Sequence, residues 1–257
     1  MTQYYLGIDL GSSFTKAVLL NDQKKIIAEA CTKTSSSFEK ATNFVKESTL
    51  NQAKIEESEL TSVVATGVGR KSCKLADFSK PEINCLSKGA YYFFPNEMTI
   101  VDIGGQDNKI IKIAADGRQL DFKMNRKCAS GTGSFLEEMS YRLDISCDEM
   151  NKLALAAGRA VGIGSFCTVF AGTEVIHHIR EGKEIGSIVR GIYESMVKRI
   201  FEIDSLEGDI VLTGGAIAHA SVLETIFKEK IDSKIFIPKS PQCVGAVGAA
   251  LYAFEKK

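Results

Sequence analysis

The sequence lacks the features that mark several common classes of protein. Its 257 residues carry 32 acidic and 32 basic side chains, and this balance gives no reason to expect nucleic acid or an anionic membrane as a partner. No apolar run is long enough to cross a bilayer, since the best candidate, 244–254, is too short. The first residues show no basic region and cleavage site of a secretory signal. These absences predict a cytoplasmic protein.

Cysteine is present but forms no C-x-x-C pair. Seven cysteines, an odd number at irregular spacing, indicate a reducing compartment rather than a disulfide scaffold. Packing in a core is the more common role of a free cysteine. Two of the seven, Cys128 and Cys167, differ because each lies in a glycine-rich segment that leads into a predicted helix.

Cys128 lies beside two cations and ahead of a glycine-rich turn. Its surroundings are Asn125-Arg126-Lys127-Cys128-Ala129-Ser130-Gly131-Thr132-Gly133-Ser134-Phe135-Leu136-Glu137-Glu138. Ser134 and Glu137 have the spacing of a capping box, which predicts a helix N-terminus at Ser134. The unpaired N–H groups of a helix start and of a glycine-rich turn stabilise an anion. A thiolate, a phosphate or an iron–sulfur cluster would suit this place.

Cys167 has similar surroundings. The segment 162–170 is glycine-rich and then apolar, and a helix is predicted to follow from Glu174 to Arg180. Cys147 is a weaker case, because it opens a predicted helix, 147–157, without a glycine-rich segment before it. A thiol in the first turn of a helix can still have a lowered pKa.

Two glycine-rich turns follow buried strands that carry an aspartate. The first pattern is a predicted hairpin over 4–20, with Asp9 on the first strand and Lys16 on the return strand. The pattern recurs over 99–113, where Asp102 takes the place of Asp9 and a lysine again follows on the return strand. Two such hairpins predict two related α/β halves.

The first turn has groups that suit a phosphate and a magnesium ion. Backbone N–H groups at Gly11 and the hydroxyl groups of Ser12 and Ser13 can point at a phosphate. Lys16 can meet the phosphate as a point charge, and Asp9 can hold Mg²⁺ through water.

The second turn and a later strand end extend this pattern. Asp102, Gly104, Gly105 and Gln106 form the second turn, in which Gln106 could orient an attacking water. The run 213–216, Thr-Gly-Gly-Ala, ends a predicted buried strand and would let a nucleotide approach the backbone closely. One glycine turn alone is more often a tight turn without a ligand. Three at strand ends, two of them behind an aspartate, favour a nucleotide site.

The order of these elements resembles the actin-like ATPase superfamily, which includes sugar kinases and the ATPase domain of heat-shock chaperones. That order is hairpin, helix 82–94, hairpin, adenosine motif 213–216 and helix 242–254. The resemblance implies an α/β fold with two related halves around a nucleotide cleft. The halves would be 1–97, completed by the helix at 240–257, and 98–239.

The two cysteine motifs resemble one branch of this superfamily. They are Lys127-Cys128-Ala129-Ser130-Gly131-Thr132-Gly133 and Phe166-Cys167-Thr168-Val169-Phe170-Ala171. Both are similar to motifs in the activators of 2-hydroxyacyl-CoA dehydratases, which are grouped with the ATPase subunits of benzoyl-CoA reductase. The resemblance implies a homodimer that shares one [4Fe–4S] cluster, held by Cys128 and Cys167 of each subunit. It also implies ATP or ADP and Mg²⁺ as ligands.

The resemblance implies an ATPase coupled to electron transfer. ATP binding and hydrolysis would change the angle between the halves and deliver one low-potential electron to an iron–sulfur partner. That partner would be a 2-hydroxyacyl-CoA dehydratase, a double-cubane-cluster enzyme or a benzoyl-CoA-type reductase, with ferredoxin or flavodoxin as the electron donor. The implied catalytic residues are Asp9, Asp102 and Gln106. The predicted cofactor-binding residues are Gly11, Ser12, Ser13, Lys16, Gly104, Gly105, Gly131, Gly133, Gly214, Gly215, Ala216 and Gln242, of which Gly131 and Gly133 belong to the Cys128 motif.

Two other functions remain open at this point. A small-molecule kinase of the same fold would need a general base and a substrate pocket but would have no use for Cys128 and Cys167. A nucleotide-dependent regulatory protein would hydrolyse ATP slowly and would keep that behaviour without either thiol. The remaining cysteines are interpreted as packing residues. They are Cys31, Cys73, Cys85, Cys147 and Cys243.

Overall fold

The structure is a computed structural model that describes residues 3–125, 129–164 and 167–256. The chain divides into two compact units. The first consists of Met1–Glu97, Ile113–Leu120 and Pro238–Lys257, and the second of Met98–Lys112 and Asp121–Ile237. Within the described ranges, no helix combines the length and apolar composition that crossing a membrane requires.

The strands and helices alternate along the chain. The strands are β1 (Tyr4–Leu10), β2 (Phe14–Leu20), β3 (Ile26–Lys33), β4 (Leu60–Thr66), β5 (Phe78–Ser79), β6 (Met98–Ile103), β7 (Asn108–Ile113), β8 (Gln119–Asn125), β9 (Ile210–Thr213) and β10 (Ile235–Phe236). The helices are α1 (Phe38–Ala53), α2 (Glu82–Phe93), α3 (Gly133–Leu143), α4 (Cys147–Ala156), α5 (Thr168–Arg180), α6 (Ile185–Ile203), α7 (Gly215–His219), α8 (Ser221–Lys230) and α9 (Val244–Glu255). Short 3₁₀ turns lie at Glu57–Glu59, Arg70–Ser72 and Pro241–Cys243.

The two sheets have the same topology. The first has the order β3-β2-β1-β4-β5, and the second has the order β8-β7-β6-β9-β10. In the first sheet β1 pairs antiparallel with β2 and parallel with β4. In the second sheet β9 pairs parallel with both β6 and β10. This shared order confirms the prediction of two related α/β halves.

Glycines allow very close packing in the first unit. A Cβ atom at Gly7 of β1 would overlap the carbonyl oxygen of Ala246 in α9. A Cβ atom at Gly248 of α9 would overlap the carbonyl oxygen of Cys85 in α2. Helix α9 therefore lies backbone to backbone against both β1 and α2. This close packing explains why α9 is rich in glycine and alanine.

Gly248→Ala tests this close packing. The added methyl group would meet the backbone of α2, which cannot rotate away as a flexible side chain could. We expect a loss of about 3 kcal/mol in the free energy of unfolding, at the upper end of the usual cost of overpacking. That loss corresponds to a fall in melting temperature of roughly 6–12 °C, measurable by calorimetry.

Gly158→Ala is the matched control for Gly248→Ala. No atom lies within 4 Å of a Cβ atom built at Gly158, so the same substitution adds a methyl group in open space. We expect the control to change the free energy of unfolding by less than about 1 kcal/mol. Equal melting temperatures for the two variants would show that α2 and α9 do not pack as described.

The second unit departs from the sequence predictions at two helix starts. Helix α3 begins at Gly133 with Thr132 as its N-cap, so the predicted capping box of Ser134 and Glu137 is wrong. Helix α5 begins at Thr168 rather than at Glu174. Helix α4, predicted at 147–157, begins as predicted at Cys147, where the Ser146 hydroxyl accepts a hydrogen bond of 3.2 Å from the Glu149 N–H.

Candidate functional site

The first hairpin places Asp9 and Lys16 opposite each other. They are register partners on β1 and β2, and Lys16 Nζ lies 3.0 Å from Asp9 Oδ2. The turn between the strands is closed by a hydrogen bond of 3.1 Å from the Gly11 N–H to the Phe14 carbonyl oxygen. Ser12 and Ser13 form the tip, where Ser12 is exposed. The prediction that the Gly11 N–H points at a phosphate is therefore wrong, whereas Ser12 and Ser13 share one hairpin end with the aspartate.

The second carboxylate oxygen of Asp9 is buried and has no hydrogen-bond partner among the described residues. Two glycines crowd this carboxylate: a Cβ atom at Gly67 would lie 2.5 Å from Oδ1, and one at Gly245 would lie 3.4 Å from Oδ2. Gly67 also has φ +86°, a conformation that favours glycine. A buried carboxylate oxygen without a donor is costly unless a cation or water satisfies it. Asp9 is therefore a candidate cation ligand.

Sequence reasoning missed Gly67 and Gly245 as parts of this site. The sequence carried a signal for Gly67, because this glycine directly follows the run that forms β4. In the structure, β4 runs parallel to β1 and Asp9 is the register partner of Thr66. A glycine directly after β4 should therefore lie beside the aspartate. Gly245 follows the 3₁₀ turn that holds Gln242, and its proximity to Asp9 could not be seen in the sequence because α9 is distant along the chain.

The second hairpin repeats the first but engages its aspartate fully. The Gly104 N–H donates to the Asp107 carbonyl oxygen at 3.0 Å, closing the turn in the same way. Lys109 Nζ lies 3.2 Å from Asp102 Oδ2 and 2.7 Å from Asp107 Oδ1. The Thr213 hydroxyl donates to Asp102 Oδ1 at 3.0 Å. Both oxygens of Asp102 thus have partners, whereas only Oδ2 of Asp9 has one among the described residues.

The remaining predicted residues of the second unit lie at two turns. Gln106 is exposed and Gly105 is half-buried in the hairpin tip. Gly214 has φ +100°, and a Cβ atom there would overlap the carbonyl oxygen of Ile103. Only glycine fits this close approach of the chain after β9 to the end of β6. No atom lies within 4 Å of a Cβ atom at Gly215, and the Ala216 side chain is buried.

The start of α3 is joined to the second hairpin by backbone hydrogen bonds. The Gly133 N–H donates to the Gly104 carbonyl oxygen at 2.9 Å, and the Ser134 N–H donates to the Gly105 carbonyl oxygen at 2.8 Å. The prediction that this helix start offers unpaired N–H groups to an anion is therefore wrong for these two groups. Their partners are carbonyl oxygens from a distant turn, which a capping pattern in the local sequence does not reveal.

Cys167 is the N-cap residue of α5 and is partly buried. Two side chains of α5 hold the segment that precedes it. Glu174 Oε2 accepts a hydrogen bond of 2.7 Å from the Gly164 N–H, and His178 Nε2 lies 3.1 Å from the Gly162 carbonyl oxygen. Sequence analysis assigned neither residue to the site. Cys128, the other predicted thiol ligand, lies outside the described residues.

The other cysteines are set apart by burial. Burial raises the pKa of the Cys85 thiol to about 12, and burial raises the pKa of the Cys243 thiol to about 12 as well. The pKa values of Cys31 and Cys73 are also raised by burial. These four thiols stay protonated near neutral pH, as expected of packing residues and not of thiolate ligands. Cys147 is partly buried at the first position of α4.

Comparison with known proteins finds close relatives along the whole chain. The chain is 36% identical over 256 residues to the 2-hydroxyisocaproyl-CoA dehydratase activator of Clostridioides difficile. This match covers 98% of this chain and 96% of that protein. The crystal structure of component A of the Acidaminococcus fermentans (R)-2-hydroxyglutaryl-CoA dehydratase matches with a TM-score of 0.93 at 34% identity, covering 98% of each chain. The Clostridium difficile activator of 2-hydroxyisocaproyl-CoA dehydratase with bound ADPNP matches with a TM-score of 0.90 at 36% identity, covering 98% of this chain and 95% of that one.

More distant structures confirm the fold class. A sugar kinase, the ROK-family glucokinase of Streptomyces griseus, matches with a TM-score of 0.59 at 12% identity, covering 98% of this chain and 99% of that one. At that identity the likeness concerns the actin-like fold alone. A model of the BadF/BadG/BcrA/BcrD ATPase family matches residues 6–253. With this match, the two hairpins and the relatives named above, the chain belongs to the BadF/BadG/BcrA/BcrD ATPase family.

Proposed function

We propose that this protein is an ATP-dependent activator that delivers one low-potential electron to an iron–sulfur enzyme of the 2-hydroxyacyl-CoA dehydratase or benzoyl-CoA reductase type. One observation carries the proposal. Helix α3, which follows the Cys128 segment, begins on hydrogen bonds from Gly133 and Ser134 to the second hairpin. A turn suited to phosphate and a segment suited to a thiolate-bound group are therefore parts of one connected structure.

Each unit has its own candidate residues for phosphate. In the first unit, Ser12 and Ser13 at the hairpin tip face the phosphates beside Gly11, whose own N–H closes the turn, while Lys16 orients Asp9. Mg²⁺ fits Asp9 because the buried Oδ1 atom lacks a donor among the described residues and because Mg²⁺ prefers oxygen ligands. In the second unit, Gly105 at the hairpin tip contacts phosphate beside Gly104, whose own N–H closes the turn, and Gln106 orients the attacking water.

The remaining nucleotide contacts follow from glycines and helix starts. Gly214, Gly215 and Ala216 form the backbone surface on which the adenosine lies, because Gly214 brings that chain flat against β6. Gln242 precedes α9 and contributes from the first unit, and Asp102 keeps Lys109 and Thr213 in place beneath the second hairpin.

A [4Fe–4S] cluster fits the chemistry of the two selected thiols. Cys167 is free and partly buried at the N-cap of a helix, where the backbone N–H groups of the first turn favour negative charge. Cys128 supplies the second thiol of each chain, beside Gly131 and Gly133. A four-iron cluster takes four thiolates, so two chains together supply a full set. When bound, the cluster supplies a one-electron redox centre, and ferredoxin or flavodoxin is the proposed donor.

A homodimer is supported by the exposed face of α5. Val169 and Phe170 follow Cys167 directly and are 61% and 65% exposed. Ile176 and Ile179 continue the apolar face at 48% and 42% exposure. Large apolar side chains beside a candidate ligand suit burial against a second subunit.

The free thiols of the described cysteines also fit the reducing conditions of the cytoplasm.

The kinase alternative rests on the fold, which the glucokinase shares at low identity. The iron content separates the two functions directly.

The test is iron, acid-labile sulfide and molecular mass in solution for protein purified without oxygen. We expect about two irons and two sulfides per chain in a dimer, because one four-iron cluster is shared by two chains. The same sample should transfer an electron to an acceptor dehydratase only when ATP and Mg²⁺ are present.

Two outcomes would contradict the proposal in different ways. About four irons per chain would mean that each subunit builds its own cluster, so a further cysteine such as Cys147 would be a ligand. Nucleotide binding without iron in a rigorously anaerobic sample would favour a kinase or a regulatory protein.

A further inference from the structure

The two hairpins differ in what covers their carbonyl oxygens. In the first unit, the cover comes from the end of β3: the Thr34 hydroxyl donates to the Gly11 carbonyl oxygen at 2.8 Å, and the Thr34 N–H donates to the Ser13 carbonyl oxygen at 2.9 Å. In the second unit, the start of α3 takes this place through Gly133 and Ser134. The first hairpin is therefore closed by its own sheet, whereas the second is closed by the segment that follows Cys128.

One side chain adds a further connection in the second unit. Asn108 is the first residue of β7, directly after the turn, and is completely buried. Its Nδ2 atom donates to the Gly131 carbonyl oxygen at 2.9 Å. Its Oδ1 atom has no hydrogen-bond partner among the described residues. The corresponding residue of the first hairpin is Thr15, which pairs instead with the Thr34 hydroxyl at 3.0 Å.

The turn that Asn108 holds is closed by two hydrogen bonds of its own. The Thr132 N–H and the Thr132 hydroxyl both donate to the Ala129 carbonyl oxygen, at 3.0 and 2.6 Å. Gly131 has φ +83°, and a Cβ atom there would lie 3.0 Å from Cβ of the buried Arg199. A shift of the Gly131 carbonyl oxygen therefore carries Ala129 with it, and Ala129 is the sequence neighbour of Cys128.

We propose that Asn108 is a positioning residue that ties the turn 129–132, which follows Cys128 in the sequence, to the second hairpin, so that phosphate at the hairpin sets the position of this turn. The inference rests on the proposed function, because it assigns to one side chain the link between nucleotide and thiol. Phosphate that binds at the tip of the hairpin fixes Asn108, the residue directly after that tip. The Asn108 amide then fixes the Gly131 carbonyl oxygen. The turn 129–132, which begins directly after Cys128, therefore opens less often.

The test uses the full chain without iron, so that it does not depend on a loaded cluster. The readout is the rate at which N-ethylmaleimide labels Cys128, followed by peptide mass spectrometry, with and without saturating non-hydrolysable ATP analogue and Mg²⁺. In the wild-type chain we expect the nucleotide to slow labelling about fivefold or more, the lower range of usual coupling between sites. In Asn108→Leu, which keeps the volume but removes the hydrogen bond, the ratio should fall below about twofold.

Thr15→Val is the matched control, because it removes a buried hydrogen bond at the same place in the first hairpin. This control should keep the wild-type labelling ratio when the nucleotide is saturating. An Asn108→Leu chain that binds the nucleotide and keeps the full ratio would overturn the inference, as would an equal loss of the ratio in Thr15→Val.

A second measurement covers the case in which Asn108→Leu does not fold. Amide hydrogen exchange of the wild-type peptide 129–136 should slow when the nucleotide binds, because Thr132 and Gly133 donate within this connection. Unchanged exchange would overturn the inference without any variant. Failure of the proposed function would show separately, as absent iron or as electron transfer that does not need ATP.

Discussion

Asp9→Asn is expected to lower the rate of Mg²⁺-dependent ATP hydrolysis about 10²- to 10³-fold, a loss of roughly 3–4 kcal/mol of transition-state stabilisation. The reason is the buried Oδ1 atom, which has no donor among the described residues. Gly67 leaves space beside this atom for a cation, because a Cβ atom there would lie 2.5 Å from Oδ1. An amide keeps the size of the side chain but removes the negative charge that a divalent ion needs. The measurement is phosphate release at saturating ATP with varied Mg²⁺.

Asp102→Asn is the matched control, since the two aspartates occupy equivalent places in the two hairpins. Both oxygens of Asp102 have partners, and its partner Lys109 has only 1% of its side chain exposed. Removing that charge leaves Lys109 with Asp107 and is expected to cost about 2–4 kcal/mol of stability, with a smaller loss of hydrolysis than Asp9→Asn. If both variants lost hydrolysis equally with unchanged stability, the distinction between the two aspartates would be wrong.

Cys167→Ser is expected to reduce bound iron to background and to abolish electron transfer to the acceptor enzyme, while ATP hydrolysis continues. A serine hydroxyl stays protonated near neutral pH and does not replace a cluster thiolate. Cys167 is an N-cap residue, and serine is a preferred residue at that position. The start of α5 should therefore be kept or slightly stabilised, so the loss of iron reports the ligand and not the helix. The measurement is iron content and the absorption of the cluster.

Cys147→Ser is the control for this substitution. Cys147 is also partly buried and also lies in the first turn of a helix, but the Ser146 hydroxyl already caps that helix. We expect full iron content in this variant. Iron that is lost with Cys147→Ser and retained with Cys167→Ser would exchange the roles of the two residues.

The parts of the fold that the sequence predicted are those with a local signal. Glycine and aspartate after apolar runs predicted both hairpins, and the helix predicted at 82–94 is α2, Glu82–Phe93, which ends one residue earlier. Helix α3 was misjudged because Gly133 and Ser134 find their partners on a turn far back in the chain. The strand β8 was not predicted, since its residues are mostly exposed and give no buried pattern.

The candidate site shows the same division. Asp9, Lys16 and Gly214 were predicted because strand ends with glycine have a recognisable chemistry. Asn108 and Glu174 were not, because an asparagine on a strand and a glutamate on a helix have no signature until the fold brings them to Gly131 and Gly164. Which of two equivalent aspartates keeps an unpartnered oxygen also depends on neighbours distant in sequence, such as Thr213.

The packing of α9 against β1 has a consequence for how the protein is made on the ribosome. Strand β1 leaves the exit tunnel early and α9 leaves after every other described helix, yet Gly7 of β1 lies against the backbone of α9 and Gly245 lies beside Asp9. The second unit, by contrast, needs no residue beyond Ile237. In a nascent chain, β1 therefore lacks its packing partner α9 until the end of the described residues has emerged. The second unit has all of its own residues before that point. The aspartate proposed to bind Mg²⁺ acquires its surroundings only when α9 has emerged.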